Sequence, residues 1–516
     1  MMRRITVLSE HTVTVLTEGR EERKLSAPAG ALFLQLLKGN GYSLVCCNGK
    51  GGCGRCRIRF LDGDAPLPMP ADRNALTAQE LRDGVRLACV HRVKKDCRIR
   101  VEFVHPKQVE VVAGYTGTDR VAAGSRRKGG VQEAYLLAMD LGTTTIAANA
   151  VTLRSLQDFG GFSGKTADGE KVGAGLHILA QAGRMNPQRE WGSDVVSRIQ
   201  AAGQGEADAL RDAAGSAVRA LITDITEKTG RPPEEICLAG NTVMEHLLLG
   251  LDVSGLGSYP FRPVSLEEQR LELFSPDVPR ADAAVPSSIR LLPGISAFVG
   301  ADILAGLLAC GFGDPTDTRC RLFIDLGTNG EMAIGNGKRL ICTATAAGPA
   351  FEGGAGANVP GTDMIAILAR LLREKKMDRT GLLCEELFDE GWQEGELRVT
   401  QQDIRALQTA KSAVRAGVEL LMKRLGVSCE EVQEVYLAGG FGRFLDVESA
   451  ARIGLFPQGL SGKVRAVGNT SLLGAALYGG RRKAPEMAQE LKKKAEVMNL
   501  AGEPGFYEKY LENLEF

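Results

Sequence analysis

Residues 47–56 read Cys47-Asn-Gly-Lys-Gly-Gly-Cys53-Gly-Arg-Cys56, and a further cysteine, Cys89, follows in Arg86-Leu-Ala-Cys89-Val90. Three thiolates on one glycine-rich loop, with a fourth far downstream, form a ligand set for a [2Fe–2S] cluster, which takes sulfur donors and needs N–H groups aimed at its sulfurs. The glycines let the loop wrap a small cluster through positive-φ conformations that other residues adopt only at a cost. Such a site moves electrons one at a time. A C-x2-C pair can also hold zinc or form a redox dithiol, but the glycine density and the lone fourth cysteine fit neither. Cys46 neighbours the loop and would lengthen its first gap to six residues, so Cys47 is the expected ligand alongside Cys53, Cys56 and Cys89. Cys97, in the strand-like run Asp96–Val101, is expected to pack in a core.

A second constellation begins after residue 134. Ala138-Met-Asp140-Leu-Gly-Thr-Thr-Thr145 is echoed by Phe323-Ile-Asp325-Leu-Gly-Thr-Asn-Gly-Glu331, and Cys237-Leu-Ala-Gly240 by Tyr436-Leu-Ala-Gly439-Gly440. The aspartate-to-leucine offsets, 98 and 112 residues, are similar and in order, the mark of duplicated α/β halves. Each Asp-Leu-Gly-Thr lies between two apolar strands and so at a hairpin tip. There Gly142 and Gly327 let the backbone approach an anion, while Thr143, Thr144, Thr145, Thr328 and Asn329 supply donors. Asp140 and Asp325 are placed to bind Mg2+ or orient a water. Two such tips facing each other across a cleft would grip the phosphates of ATP from both sides, and Gly439 and Gly440 leave room for a flat adenosine. Gly160-Gly-Phe-Ser-Gly164-Lys165-Thr166 imitates a P-loop, but the true spacing needs glycine where Phe159 stands, so it reads as a polar turn.

The elements that must position these residues follow from periodicity and punctuation. Residues 1–105 read as a β-rich domain: strands at Ile5–Leu8, Thr12–Leu16, Arg57–Phe60 and Arg98–Val104, a helix over Ala29–Lys38, and a second over Leu76–Gly84 with Thr77 and Glu80 as a capping box. Residues 106–133 lose the pattern and read as a flexible Gly/Lys/Arg-rich linker. The duplicated unit occupies 134–480, with halves near 134–300 and 320–480, and 481–516 reads as a helical tail. Leu291–Phe312 is interrupted by Pro293, Asp302 and glycines, and is a buried helix with its lead-in rather than a membrane span.

The 516 residues are more than one core can serve. Composition is that of a globular protein, the N-terminus lacks an apolar signal segment, and most of the twelve cysteines lie outside any framework spacing. A cytoplasmic protein is expected, without membrane or nucleic-acid partners. Net charge is zero but uneven. Residues 1–130 hold 23 Lys+Arg against 13 Asp+Glu, a net of +10, and the remainder carries −10. The basic N-terminal part is suited to acidic partners.

The cysteine loop resembles that of adrenodoxin-like ferredoxins, and the surrounding order of elements resembles their β-grasp fold. Residues 138–147, 323–332 and 436–442 resemble the two phosphate motifs and the adenosine motif of the acetate-and-sugar-kinase, Hsp70 and actin superfamily. The resemblance implies two actin-like (ribonuclease H-like) lobes and an overall α+β and α/β class. It further implies that Thr143 and Thr144 contact phosphate, that Asp140 and Asp325 handle Mg2+ and the attacking water, and that Gly439 and Gly440 hold adenosine. Most of the chain resembles the reductive activators of corrinoid-dependent methyltransferases and corrinoid iron–sulfur proteins. That match draws also on Asn186-Pro-Gln188…Gly192-Ser-Asp194…Arg198-Ile, Gly240-Asn-Thr-Val-Met-Glu-His246…Gly250, Ala346…Glu352-Gly, Ala410-Lys-Ser-Ala-Val-Arg415 and Arg452…Pro457. It implies ATP-dependent, one-electron re-reduction of cob(II)alamin to cob(I)alamin in a corrinoid protein or methyltransferase component, an upstream low-potential donor, and a homodimer. The longer members carry a middle domain between ferredoxin and ATPase, and here only the linker is read in its place. Two alternatives are a donor to another low-potential enzyme, such as a 2-hydroxyacyl-CoA dehydratase, and a nucleotide-sensing electron carrier. The cysteines after residue 134 show no cluster spacing, which disfavours the dehydratase-type activators, whose [4Fe–4S] cluster is shared between subunits.

Overall fold

Alternating side chains set the N-terminal sheet. The computed structural model describes residues 10–16, 22–42, 44, 51, 54, 56–63, 65–101, 119–121, 133–158, 176–273, 286–327, 329–351, 361–395, 397–439 and 445–516. The first domain comprises β1 (Glu10–Leu16), β2 (Glu22–Pro28), α1 (Phe33–Gly39), β3 (Arg57–Phe60), α2 (Pro70–Ala75), α3 (Ala78–Arg82), β4 (Val85–Leu87) and β5 (Cys97–Val101). In β5, Cys97, Ile99 and Val101 are buried while Arg98 and Arg100 face outward, the period-2 pattern of a half-buried strand. The sheet order is β2-β1-β5-β3-β4, with β1 parallel to β5 and the other neighbours antiparallel, as in a β-grasp. Helix α1 closes it by burying Phe33, Leu34 and Leu37, with the Phe33 and Phe60 rings edge to face. Thr77 caps α3 and Glu80 returns the bond to the Thr77 N–H, as the sequence signature predicts. The expected strand at Ile5–Leu8 and the polar turn at 160–166 lie outside the described residues.

The second unit comprises β6 (Asp119–Val121), β7 (Tyr135–Leu141), β8 (Thr145–Thr152), α4 (Leu153–Asp158), β9 (Leu176–Met185), α5 (Val195–Ala201), α6 (Ala207–Thr229), β10 (Glu235–Gly240), α7 (Thr242–Leu249), β11 (Gln269–Glu272), β12 (Ser288–Leu291) and α8 (Ala301–Ala309). The third comprises β13 (Cys320–Leu326), β14 (Gly330–Gly335), β15 (Leu340–Thr345), α9 (Gly361–Arg373), α10 (Glu385–Phe388), β16 (Trp392–Glu394), β17 (Leu397–Val399), α11 (Gln401–Leu425), β18 (Val432–Ala438), α12 (Val447–Arg452), β19 (Val464–Gly468), α13 (Thr470–Gly480), α14 (Ala484–Lys494), β20 (Ala495–Val497) and α15 (Phe506–Glu512).

The internal repeat is visible in the strand orders. The second unit reads β11-β12-β10-β7-β8-β9-β6 and the third β19-β18-β13-β14-β15-β20. In each, an antiparallel meander (β7-β8-β9, β13-β14-β15) carries a parallel strand on its first member (β10, β18), and a further parallel strand beyond. The central strands are buried almost throughout, so they read as continuous apolar runs. The two halves meet where α8 crosses α13. Small residues allow the approach: a Cβ on Gly474 would lie 2.0 Å from the Ala305 carbonyl oxygen.

Two boundaries are corrected. Asp119–Val121, inside the segment read as linker, pair in parallel with β9 and extend the second sheet. The 481–516 tail is not only helical, since β20 pairs in parallel with β15 and joins the third sheet. Both are three-residue edge strands, too short for a period-2 pattern to register in sequence. Among the described residues no helix is long and apolar enough to cross a membrane.

Candidate functional site

The antiparallel pairing of β3 with β4 brings two of the expected cluster ligands together. Arg57 pairs with Leu87, and the Ala88 N–H bonds the Cys56 carbonyl at 2.7 Å, so Cys56 and Cys89 leave adjacent strands side by side. Both are buried in the domain core. The loop reaches the same place: Gly51, at φ +73°, sits so close to Ala71 and Val90 that a Cβ would be 2.8 Å from the Ala71 Cβ. Gly54 is also left-handed, at φ +64°, and its carbonyl accepts from Arg57 Nε at 2.8 Å. Buried Asp72 fastens the frame, accepting from the Leu87 N–H at 2.9 Å, the Met69 N–H at 2.7 Å and pairing with His91 Nε2 at 2.6 Å. Burial works to raise its pKa, but the bonds from His91, Leu87 and Met69 outweigh it and hold the carboxyl below the usual range. These residues fit a small thiolate-ligated cluster. Cys46, Cys47 and Cys53 lie outside the described residues. Cys97 lies in the β5 core, as expected.

The second site is built where the halves face each other. Asp140 and Asp325 end equivalent strands, β7 and β13. The parallel registers place Ala239 beside Asp140 and Ala438 beside Asp325, so each Leu-Ala-Gly echo delivers its glycine next to its aspartate. Glycine is required there: Gly439 has φ +101°, and a Cβ would lie 2.4 Å from the Leu326 carbonyl oxygen and 2.9 Å from Asp325 Oδ1. The β7–β8 turn closes through Gly142 N–H to Thr145 O at 3.0 Å, and the β13–β14 turn through Gly327 N–H to Asn329 O at 2.9 Å. Thr143 is buried and Thr144 half-buried. Thr328 and Gly440 lie outside the described residues.

Several site residues were not identified from sequence. Asp140 accepts from Asn469 Nδ2 and from Ser471 Oγ, both at 2.8 Å, across more than 300 residues of chain. Asn469 and Ser471 stand at the start of α13, Asp302 at the start of α8, and Glu331 pairs directly opposite Asp325 on β14. Asn241, the N-cap of α7, donates to the Thr143 hydroxyl at 3.0 Å. Glu245, one turn into α7, is buried, and its Oε1 has no hydrogen-bond partner among the described residues. Apart from Glu331, which β14 carries, these groups come from the first turns of helices, where local sequence shows only polar residues at the edge of apolar runs.

Crowded carboxyls resist ionising. Burial, with Asp302 and Asp140 adding to it, raises Asp325 to about 8. Burial and Asp140 raise Asp302 to about 7. Burial also raises Asp140, against the bonds from Asn469 and Ser471. Glu331 and Glu245 are pushed well above the carboxylate range, by burial first and by Asp302 next. A divalent cation relieves such repulsion, and hard oxygen donors suit Mg2+. Further out, α9, the β16–β17 hairpin and α12 enclose a cleft of about 420 Å3 with Arg370, Arg373, Asp446 and Arg452 on its walls.

Comparison with known proteins bears on the whole chain. Residues 16–94 match the 2Fe-2S iron-sulfur cluster binding domain, 174–314 the RACo middle region, and 319–359 with 357–516 the C-terminal domain of RACo, the ASKHA domain. A middle region is therefore present, contrary to the reading that only a linker stands between ferredoxin and ATPase; it falls at 174–314, within the second unit and after its first hairpin. The chain is 29% identical over 400 residues to the corrinoid activation enzyme RamQ of Eubacterium limosum, 66% of each protein being covered. The N-terminal part is 33% identical over 97 residues to one component of the Na(+)-translocating NADH-quinone reductase of Psychrobacter cryohalolentis, spanning 23% of that component. In fold, the chain is similar to a structure titled reductive activator for corrinoid,iron-sulfur protein, with TM-score 0.60, 23% identity and 98% of both chains covered.

Proposed function

The chain belongs to the RACo family of corrinoid activators, and from that premise we propose that it is an ATP-dependent activator passing one electron from a [2Fe–2S] cluster to a corrinoid protein, returning cob(II)alamin to cob(I)alamin. One observation carries the proposal: a single chain holds both the Cys56–Cys89 pairing and a buried carboxylate cluster at the ends of two phosphate-type hairpins. Cys47, Cys53, Cys56 and Cys89 would hold the cluster, which supplies one-electron chemistry. Gly142, Thr143, Thr144, Thr145, Gly327, Thr328 and Asn329 would bind the phosphates, Asp140 and Asp325 would organise Mg2+ and water, and Gly439 and Gly440 would pack adenosine.

Downhill electron transfer needs no ATP. Plant-type clusters sit near −400 mV, and moving an electron a further 100–200 mV down costs roughly 2–5 kcal/mol. ATP can supply this by changing which arrangement of protein and partner is favoured. The links from Asp140 to Asn469 and Ser471 join the halves at the nucleotide site, so ligand bound there acts on both. The test follows the cob(II)alamin spectrum of candidate corrinoid proteins mixed with the reduced protein, with and without ATP. ATP-dependent appearance of cob(I)alamin is expected; equal rates without ATP would reject the role of the nucleotide.

A further inference from the structure

The motif Asn186-Pro-Gln188…Arg198 has no part in the proposal above, yet it holds the first phosphate hairpin. Asn186 Nδ2 donates to the Gly142 carbonyl at 2.9 Å, Arg198 Nη2 to the Thr143 carbonyl at 2.6 Å, and the Asn186 N–H to the Thr144 carbonyl at 2.8 Å. Three successive carbonyls of the turn are thus held by Asn186 and Arg198. In a planar trans peptide the N–H points opposite to the carbonyl, so the Thr143 and Thr144 N–H groups are aimed the other way. Asn186, Gln188 and Arg198 are fully buried, and Arg198 Nε also donates to the Gly192 carbonyl at 3.1 Å. Gln188 ties the segment down through its N–H to Asn186 Oδ1 and its amide to the Leu210 carbonyl, both at 3.0 Å.

Residues Pro187–Glu190 form a single 3-10 turn, and its outer end touches the first domain. Lys38 Nζ, at the end of α1, donates to the Glu190 carbonyl at 2.7 Å. Helix α1 in turn grips both sides of Cys89: the Leu34 N–H bonds the Ala88 carbonyl at 3.0 Å and the Phe33 N–H the His91 carbonyl at 3.1 Å. A path of hydrogen bonds, the 187–190 turn and helix α1 therefore runs from the carbonyls of the phosphate hairpin to the backbone flanking a cluster ligand.

We propose that residues 186–198 are a coupling element through which nucleotide at the Gly142–Thr144 hairpin and the seating of the cluster domain on Glu190 bias one another. Asn186 and Arg198 are positioning residues, acting through the hairpin they hold. The inference rests on nucleotide binding at that hairpin. Coupling of this kind is reciprocal: if nucleotide changes the seating by some factor, loss of the seat changes nucleotide affinity by the same factor.

The test is amide hydrogen exchange on the cluster-loaded full chain, with and without the magnesium complex of a non-hydrolysable ATP analogue. Nucleotide should protect 142–145 and change exchange in 33–39 by at least about 5-fold. Lys38→Glu, at an exposed side chain, should abolish the change in 33–39, keep the protection at 142–145 and the visible cluster spectrum, and shift the analogue's Kd by the factor lost. Arg198→Lys should weaken both responses. Protection at 142–145 with no change at 33–39, or a Lys38→Glu protein that responds like wild type, would overturn the coupling. Absence of protection at 142–145 would reject the nucleotide reading itself, and the coupling with it.

Discussion

At the scale of single residues, each of the two chemistries makes separable demands. Asp325 sits opposite Glu331 and against Gly439, among groups that raise its pKa to about 8. Asp325→Asn keeps the shape but removes the charge a cation needs, so ATP hydrolysis should fall by about 100-fold or more while the visible absorbance of the cluster is unchanged. Hydrolysis within a few-fold of wild type would remove Asp325 from the mechanism. Cys56→Ser should abolish the cluster, whereas Cys97→Ser, in the β5 core, should retain full iron content; iron analysis of anaerobically purified protein decides both. Such residues were legible because their motifs are compact: three cysteines on one glycine-rich loop with a fourth downstream, and Asp-Leu-Gly-Thr with its Asp-Leu-Gly-Thr-Asn echo. Asp302, Asn469 and Ser471 were not, because their meaning comes from helices packed across the two halves. In sequence Asp302 is only an interruption of an apolar run, and Asn469 only a cap.

At the scale of elements, strands and turns do the positioning. Asp72 binds α2 to the β4 strand that leads to Cys89, by two backbone bonds and the His91 pair. Removing one partner of a buried pair leaves the other uncompensated, typically 3–5 kcal/mol. Asp72→Ala should therefore lower the stability of the N-terminal domain by about 3 kcal/mol and speed bleaching of the cluster under air, with Cys47, Cys53, Cys56 and Cys89 all intact. Bleaching at the wild-type rate would show that the frame around Cys89 does not depend on Asp72. The helices and most strands were readable from periodicity and caps, the Thr77–Glu80 box among them. The edge strands β6 and β20 were not, since three residues cannot display a period and their pairing partners lie far away in sequence. The middle region escaped for the opposite reason: its pattern was clear, but the second unit that contains it repeats the strand order of the third.

At the scale of the molecule, burial of charge gives a pH signature. Lys411 on α11 is fully buried, donates to the Glu515 carbonyl, and has its ammonium 5.1 Å from the centre of the Phe516 ring. Burial, and then Arg415, lower its pKa to about 8 from 10.5. The folded state therefore binds fewer protons than the unfolded state between those values, so this lysine makes stability rise as pH climbs through that window, by on the order of 3 kcal/mol in total. Lys411→Met should flatten that rise, read from urea midpoints between pH 7.5 and about 10. A variant with the wild-type slope would show that the lysine does not titrate as its burial requires.

The central claim is that one chain couples ATP to the transfer of a single electron, and its most direct test is a single-turnover balance. The protein, reduced and freed of excess reductant, is mixed with a corrinoid protein in the cob(II)alamin state, and both spectra are followed together. With ATP, loss of the reduced-cluster signal and gain of cob(I)alamin should proceed at the same rate and in equal amounts, and both should stop in Asp325→Asn. Cob(I)alamin formed equally without ATP, or formed while the cluster stays reduced, would contradict the account.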